Sequence, residues 1–330
     1  MSAGALRVAV VGAGLMGRWH AAAAARVGAQ VVAVADPDHP RATRLARRHG
    51  ARVVPLAGLL EDRSIQALHV CTPLETHAAI ATAALDAGLP VLVEKPLAPN
   101  ASTTEALLQL AARRQRPLCP VHQFPFQRGV QRVLAAVPRF GPVLHADYVA
   151  CTAGAEGRDA AAGEAIVADI LPHPLSLLRS VVPGALADLP WHVARPRAGE
   201  LRATAAAAGI TVSLLISLAG RPTRNSWRLV GTAGTAHVDL FHGFATFESG
   251  AVSRGRKIAR PFARAVTTLG AAAGNLARRA VARETAYPGL QRLVEAFYAA
   301  VRGTAPSPIE AAEIRDVALA RDRIAGATGA

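Results

Sequence analysis

A chain of 330 residues is long enough for about two domains, and with 51% apolar but only 4% aromatic residues its cores must be built from Ala, Val and Leu. The net charge of +14 favours anionic partners, while the absence of a helix-turn-helix, zinc-finger or aromatic-rich RNA motif argues against nucleic acid. Cys71, Cys119 and Cys151 are scattered and odd in number, so they offer neither a disulfide framework nor a metal site and fit a reducing cytoplasm.

The N-terminus carries no basic-then-apolar signal pattern, and no stretch approaches the ~20 apolar residues of a membrane span. The first strand is Val8-Ala9-Val10-Val11, followed at once by Gly12-Ala13-Gly14-Leu15-Met16-Gly17 and a helix from about Arg18 to Val27. A second strand, Val31 to Ala35, leads to Asp36. Strand, glycines, helix, strand and acid in this order make the dinucleotide-binding fingerprint in its required context. Gly12 permits the tight turn, Gly14 lets backbone approach a pyrophosphate, and Gly17 lets helix pack on strand. The helix N-terminus offers N–H groups and the positive end of its dipole to the phosphates. Asp36 suits the ribose hydroxyls and repels a 2′-phosphate, so NAD is the expected cofactor; Arg41 and Arg44 keep NADP open.

The alternation continues. Ile65 to Pro73 reads as a strand entering a turn, and a helix from His77 to Ala87 ends at Gly88. Pro90-Val91-Leu92-Val93 is a buried strand that stops at Glu94-Lys95-Pro96, which places a lysine on the carboxyl edge where open α/β sheets bind ligands. A helix from Ser102 to Arg114 follows, with Ser102 and Glu105 at capping-box spacing, and then a strand from Pro117 to His122. This predicts a doubly wound parallel sheet over 1–122 and a second α/β domain over 123–330. In the second domain, Val143–Cys151, Gly209–Leu218, Trp227–Val230 and Thr235–Leu240 read as strands of a mostly antiparallel sheet. Terminal helices span about Gln291–Arg302 and Ile309–Ile324, the last packing back toward the first domain.

Asp169 and His173 have the spacing that shares a helical face, but Pro172 and Pro174 intervene, and the expectation is a helix starting at Pro174 with His173 as its N-cap. Arg254 to Arg283 holds Arg256, Lys257, Arg260, Arg264, Arg278 and Arg279 around Phe262, Val266, Leu269, Leu276 and Val281. Pro261 and Gly270 to Gly274 are expected to break this stretch into pieces. It reads as a solvated excursion or as a basic amphipathic patch meeting an anionic surface.

Five features together resemble the Gfo/Idh/MocA oxidoreductases, the group of glucose–fructose oxidoreductase and inositol dehydrogenase. They are the glycine motif with His20 three residues on, Thr72-Pro73 with His77, Ala87-Gly88 through Glu94-Lys95-Pro96, Asp169 with His173, and Val230-Gly231-Thr232-Ala233-Gly234-Thr235. The resemblance implies a Rossmann domain, a second α/β domain with a large open sheet, and a dimer or tetramer. It implies hydride transfer between a nicotinamide and an oxygen-bearing carbon of a sugar-like or other polar small molecule. Carried onto this chain, Lys95 would bind the reacting hydroxyl and the cofactor, Asp169 would orient the substrate and His173 would be the acid/base. Thr72, Pro73, His77 and Glu94 join the cofactor side. No metal is implied.

Two departures bear on the pocket. Ser176 stands where members often carry an aspartate, and His122-Gln123-Phe124 stands where many carry Asn-x-Arg, which makes His122, Phe124 and Ser176 candidate substrate contacts. They also motivate a second reading, a reductase of C=N or another unsaturated group. A third reading is a cofactor-binding sensor or partner subunit without turnover; the joint presence of Lys95, Asp169 and His173 argues against it.

Overall fold

The computed structural model describes residues 4–153, 157, 159–250, 253–282, 284 and 286–327, with the side chain of Arg256 left undescribed. Arg283 lies outside the described residues, as does the extreme N-terminus. In chain order the first elements are β1 (Arg7–Val11), α1 (Leu15–Arg26), β2 (Gln30–Ala35), α2 (His39–His49), β3 (Arg52–Val53), α3 (Leu56–Glu61) and β4 (Ala67–Val70). Then come α4 (Leu74–Asp86), β5 (Val91–Val93), α5 (Ala101–Arg114), β6 (Leu118–Pro120) and α6 (Arg128–Ala136). After these come β7 (Val143–Cys151), α7 (Ala160–Ile170), α8 (Pro172–Leu178), β8 (His192–Ala194), β9 (Glu200–Ala207) and β10 (Ile210–Ser217). The chain finishes with β11 (Arg224–Gly231), β12 (Gly234–Asp239), β13 (Phe244–Ser249), α9 (Arg254–Val281), α10 (Leu290–Val301) and α11 (Ala311–Gly326).

Two compact units result: Met1–His122 with Leu290–Ala318, and Gln123–Gly289 with Leu319–Ala330. The first boundary falls at the expected place. The second domain, however, is not the continuous stretch 123–330, because Leu290–Ala318 belongs to the first unit. The reason is packing: α10 lies on α1, and Leu293, Val294, Phe297 and Tyr298 are fully buried there. Arg315 also reaches Glu105 of α5 at 2.6 and 3.1 Å.

The first unit is a six-stranded parallel sheet in the order β3-β2-β1-β4-β5-β6, the order of a dinucleotide-binding fold. Its central strands are buried end to end, which is why they read as unbroken apolar runs. The cap of α5 differs from the expected one. Asn100, not Ser102, accepts from the Thr103 N–H at 2.8 Å, and the Ser102 hydroxyl donates to that same Asn100 oxygen. Either side chain can cap; the extended backbone at Asn100 decides between them.

The second unit holds a seven-stranded sheet in the order β13-β12-β11-β7-β10-β9-β8. Among the described residues only the β7–β10 pairing of this sheet is parallel. One face is apolar and buried, with Ala146, Tyr148, Ala150, Trp227 and Leu229 on it, while alternate residues are polar. Contrary to the sequence expectation, α9 is one continuous helix despite Pro261, Gly270 and Gly274. Alanine, the best helix former, fills much of the stretch, and Arg260, Asn275 and Arg279 tie the helix to Glu248 and the His242 carbonyl at 2.5–3.0 Å.

Candidate active site

In the first unit the glycines do what the fingerprint requires. Gly12 sits at φ +92°, and a Cβ there would lie 2.4 Å from the Cys71 carbonyl oxygen. A Cβ on Gly17 would lie 1.8 Å from the Gly12 carbonyl oxygen, so α1 crosses β1 at a distance only glycine allows. Gly14 is different. Nothing stands within 4 Å of its Cβ direction, and it is the N-cap of α1 with no side chain capping the first turn. Open space at an uncapped helix N-terminus leaves its N–H groups able to receive a phosphate.

Asp36 follows β2. Its carboxylate accepts from the Ala13 N–H at 2.7 Å and the Asp38 N–H at 2.8 Å, which pins the glycine turn to the second strand. A cavity of about 790 Å³ opens beside it, walled by Gly12, Leu15, Met16, Asp36, Thr72 and Pro73. Its apolar lining suits an adenosine, and the residues present fit a dinucleotide. A second cleft of about 410 Å³ adjoins Ala13 and Gly14 and is lined by Arg18, Arg41, Arg44 and Arg48.

His77 is buried on α4. One ring nitrogen meets the Thr72 carbonyl and the other the Pro96 carbonyl, both at 2.8 Å, so His77 straps the Thr72-Pro73 turn to the Glu94-Lys95-Pro96 turn. Glu94 is also buried, and the Lys95 N–H donates to it at 3.1 Å. Burial pushes the Glu94 carboxyl up, but the His20 hydrogen bond and the charges of His20 and Lys95 outweigh it and hold Glu94 below its ordinary range.

Sequence reasoning missed what lies behind Glu94. His20 Nε2 meets Glu94 at 3.0 Å, His20 Nδ1 meets His69 Nδ1 at 2.9 Å, and His69 Nε2 meets the Tyr298 hydroxyl at 2.7 Å. All four side chains are buried. An ionised carboxylate only accepts, so His20 Nε2 carries hydrogen. With a neutral His20 its Nδ1 then accepts from His69 Nδ1–H, and His69 Nε2 accepts from the Tyr298 hydroxyl, so the hydrogens run inward from Tyr298 to Glu94. The reverse direction requires one more proton on His20. The available signal was His69 itself, a polar residue inside the buried run Ala67-Leu68-His69-Val70, which needs a partner.

His122, just past β6, is buried, and its Nδ1 has no hydrogen-bond partner among the described residues. Burial, with the Lys95 charge second, lowers His122 to about 4, so it is neutral at neutral pH. Burial likewise drives His69 well down. Both groups bind a proton more readily unfolded than folded, so stability is full above pH 6.5 and falls as the pH drops toward 4. For His122 alone the loss reaches roughly 3 kcal/mol at pH 4. Urea midpoints at pH 7 and pH 4.5 should show a steep drop for the natural chain and a shallower one for His122→Gln; equal drops would contradict the assignment.

In the second unit, Leu171 has helical dihedrals and joins α7 directly to α8. His173 is therefore inside the first turn of α8 and is not its N-cap. Pro172 and Pro174 are tolerated because first-turn N–H groups have no intrahelical partner to lose. Asp169 and His173, four residues apart along a nearly continuous helical path, share one side. The Phe124 ring stacks on His173 with centroids 4.2 Å apart at 14°. Ser176 is fully buried and donates its hydroxyl to the His173 carbonyl at 2.8 Å. The first unit thus gathers the glycine loop, Asp36, Thr72, Pro73, Glu94, Lys95 and His122, and the second gathers Phe124, Asp169, His173 and Ser176. Among the described residues no cluster of three or more His, Cys, Asp or Glu could hold a metal ion, and no helix is long and apolar enough to cross a membrane.

Residues 6–122 match the model of the oxidoreductase family with an NAD-binding Rossmann fold, GFO_IDH_MocA. An inositol 2-dehydrogenase of Leifsonia xyli is 40% identical over 115 residues, 34% of each chain. The chain thus spans about a third of the length of the curated relatives it matches. Solved structures extend the likeness of fold to both units. The UDP-N-acetylglucosamine 3-dehydrogenase GnnA of Acidithiobacillus ferrooxidans has a TM-score of 0.75 at 20% identity over 98% of each chain. The WlbA dehydrogenase of Bordetella pertussis, solved with NADH and UDP-GlcNAcA, has 0.76 at 18% identity over 99% of this chain and 97% of that one.

Proposed function

We propose that the chain is an NAD-dependent dehydrogenase acting on a secondary alcohol, or the corresponding ketone, of a sugar- or cyclitol-like substrate. The observation that carries this is Lys95: it stands at the carboxyl edge of β5, in the same parallel sheet as the glycine loop, backed by the buried Glu94–His20 pair. The activities for which the similar proteins are named, inositol and nucleotide-sugar dehydrogenation, support the substrate class. NAD, when bound, supplies the hydride acceptor. Asp36 holds the adenosine ribose, and Gly14 with the first N–H groups of α1 receives the pyrophosphate. The Lys95 ammonium steadies negative charge developing on the substrate oxygen. His173, aligned by its stack on Phe124, takes the hydroxyl proton. Asp169 orients the substrate, and His122 lends a neutral imidazole beside Lys95.

A screen of cyclitols, free sugars and nucleotide sugars, followed at the nicotinamide absorbance band, tests the reading. Turnover of any alcohol in these classes supports it. NAD binding without turnover of alcohols or ketones, together with reduction of cyclic imines, would favour the C=N reductase instead, for which Ser176 in place of a carboxylate is the specific observation.

Cofactor choice is testable separately. The Asp36 carboxylate opposes a 2′-phosphate, while the neighbouring cleft holds four guanidinium groups. Asp36→Ser should therefore weaken NAD and strengthen NADP by roughly tenfold each, since one charge contact is worth 1–2 kcal/mol. Calorimetric titration with both cofactors measures it, and an unchanged preference would show that Asp36 does not select.

A further inference from the structure

The helix α9 is amphipathic but turned the reverse of the usual way. Its basic side faces its own unit: Arg260 binds Glu248 at 2.5 and 3.0 Å, Arg264 approaches the same carboxylate at 3.5 Å, and Arg278 binds Glu284 at 2.9 Å. Its apolar side faces outward, with Ile258, Phe262, Val266, Leu269 and Leu276 all 71–78% exposed. An exposed apolar stripe on a helix anchored by its charges calls for a partner.

The stripe has a strict seven-residue repeat. Phe262, Leu269 and Leu276 form one row, and Ile258, Ala265 and Ala272 the other, alternating at spacings of four and three. This is the seam of a helix pair. The flanking positions between Ile258 and Leu276 are Ala259, Pro261, Val266, Thr268, Ala273 and Asn275, none of them charged. A helix seated on anionic lipid carries Lys or Arg beside its apolar stripe; here Arg260, Arg264 and Arg278 lie on the far side, engaged with Glu248 and Glu284.

We propose that α9 pairs antiparallel with α9 of a second copy of this chain, about a two-fold axis at Thr267. In that one register every large residue meets a smaller or complementary one: Phe262 opposes Ala272 of the second copy, Leu269 opposes its Ala265, and Leu276 opposes its Ile258. A parallel pair would stack Phe on Phe and Leu on Leu in some layers and Ala on Ala in others, leaving voids. The antiparallel register also brings Arg260 and Arg264 level with Gly274 and Gly270 of the second copy, so these two arginines meet no like charge across the pair. From Ile258 to Leu276 the stripe is about 27 Å long and 10–12 Å wide. Paired, two stripes cover roughly 600 Å², the size of a weak contact. A weak, concentration-dependent dimer is expected.

The test uses the full chain in a Cys151→Ser background, since Cys71 and Cys119 are buried. Phe262→Cys and Ala272→Cys variants are mixed, oxidised mildly and run without reductant. The proposal predicts a disulfide-linked pair formed by the mixture, absent from either variant alone, and lost when Leu269→Lys is added to both. Sedimentation should show Leu269→Lys raising the dimer dissociation constant at least ~100-fold; this site is exposed in one copy, so circular dichroism should stay unchanged. Self-cross-linking of Phe262→Cys alone would mean parallel pairing and overturn the register. No mixed cross-link, with or without Leu269-dependent binding to anionic phospholipid vesicles, would overturn the proposal.

Discussion

Lys95→Ala should lower kcat/KM for the best substrate by about 1,000-fold while changing the NAD dissociation constant by no more than about threefold. The large factor follows from where Lys95 stands. It is only half-buried, at the end of a strand whose preceding residues are wholly buried, and Glu94 beneath it is held ionised by His20. Losing the ammonium removes charge stabilisation at the oxygen but leaves the glycine loop, Asp36 and the His77 strap untouched. Steady-state kinetics with calorimetric NAD binding separates the two effects. Turnover that survives both Lys95→Ala and His173→Ala would refute the proposed mechanism. Loss of NAD binding in Lys95→Ala would instead make Lys95 a cofactor anchor.

A pair of glycine substitutions should give opposite results. Gly17→Ala should cost roughly 3–5 kcal/mol of stability and abolish NAD binding, because the new methyl would sit 1.8 Å from a backbone oxygen that cannot yield without unseating α1 from β1. Gly14→Ala should leave the melting temperature within about 2 °C, because nothing occupies the space its methyl would enter. It should still weaken NAD at least ~100-fold, since that space is where a pyrophosphate must come. Thermal melts with and without NAD distinguish the cases. If Gly14→Ala bound NAD normally, the pyrophosphate site would be misplaced.

The Rossmann unit was legible because its constraints are local. Glycines, an acid and apolar runs in fixed order point to one kind of sheet, doubly wound and parallel, and the structure has it. Asp36 could be put forward as a candidate from its spacing after the glycines, and Lys95, Asp169 and His173 from the family resemblance. What the sequence concealed depends on distant partners. His69 and Tyr298 are 229 positions apart, and nothing near either one announces the other. The α7–α8 junction was misjudged because prolines were weighed as breakers, whereas in a first turn they forfeit nothing. The continuity of α9 was missed for a related reason: each glycine or proline costs a fixed amount, but the sum over an alanine-rich stretch anchored at Glu248 and His242 favours the helix. The return of Leu290–Ala318 to the first unit was only partly visible, as a terminal helix expected to pack back.

That return has a bearing on how the chain is made. The polar file beneath Lys95 ends at Tyr298, and α10 covers α1, so the first unit lacks both a wall and its last hydrogen-bond partner until residue 298 has left the ribosome. Synthesis runs from the N-terminus, and domains ordinarily fold as they emerge. Here the dinucleotide-binding unit must wait for the entire second sheet to be translated before His69 can be satisfied. A fragment ending at His122 would expose the buried histidines and precipitate or stay loose, whereas one in which a short linker joins His122 to Leu290 would restore the file and fold.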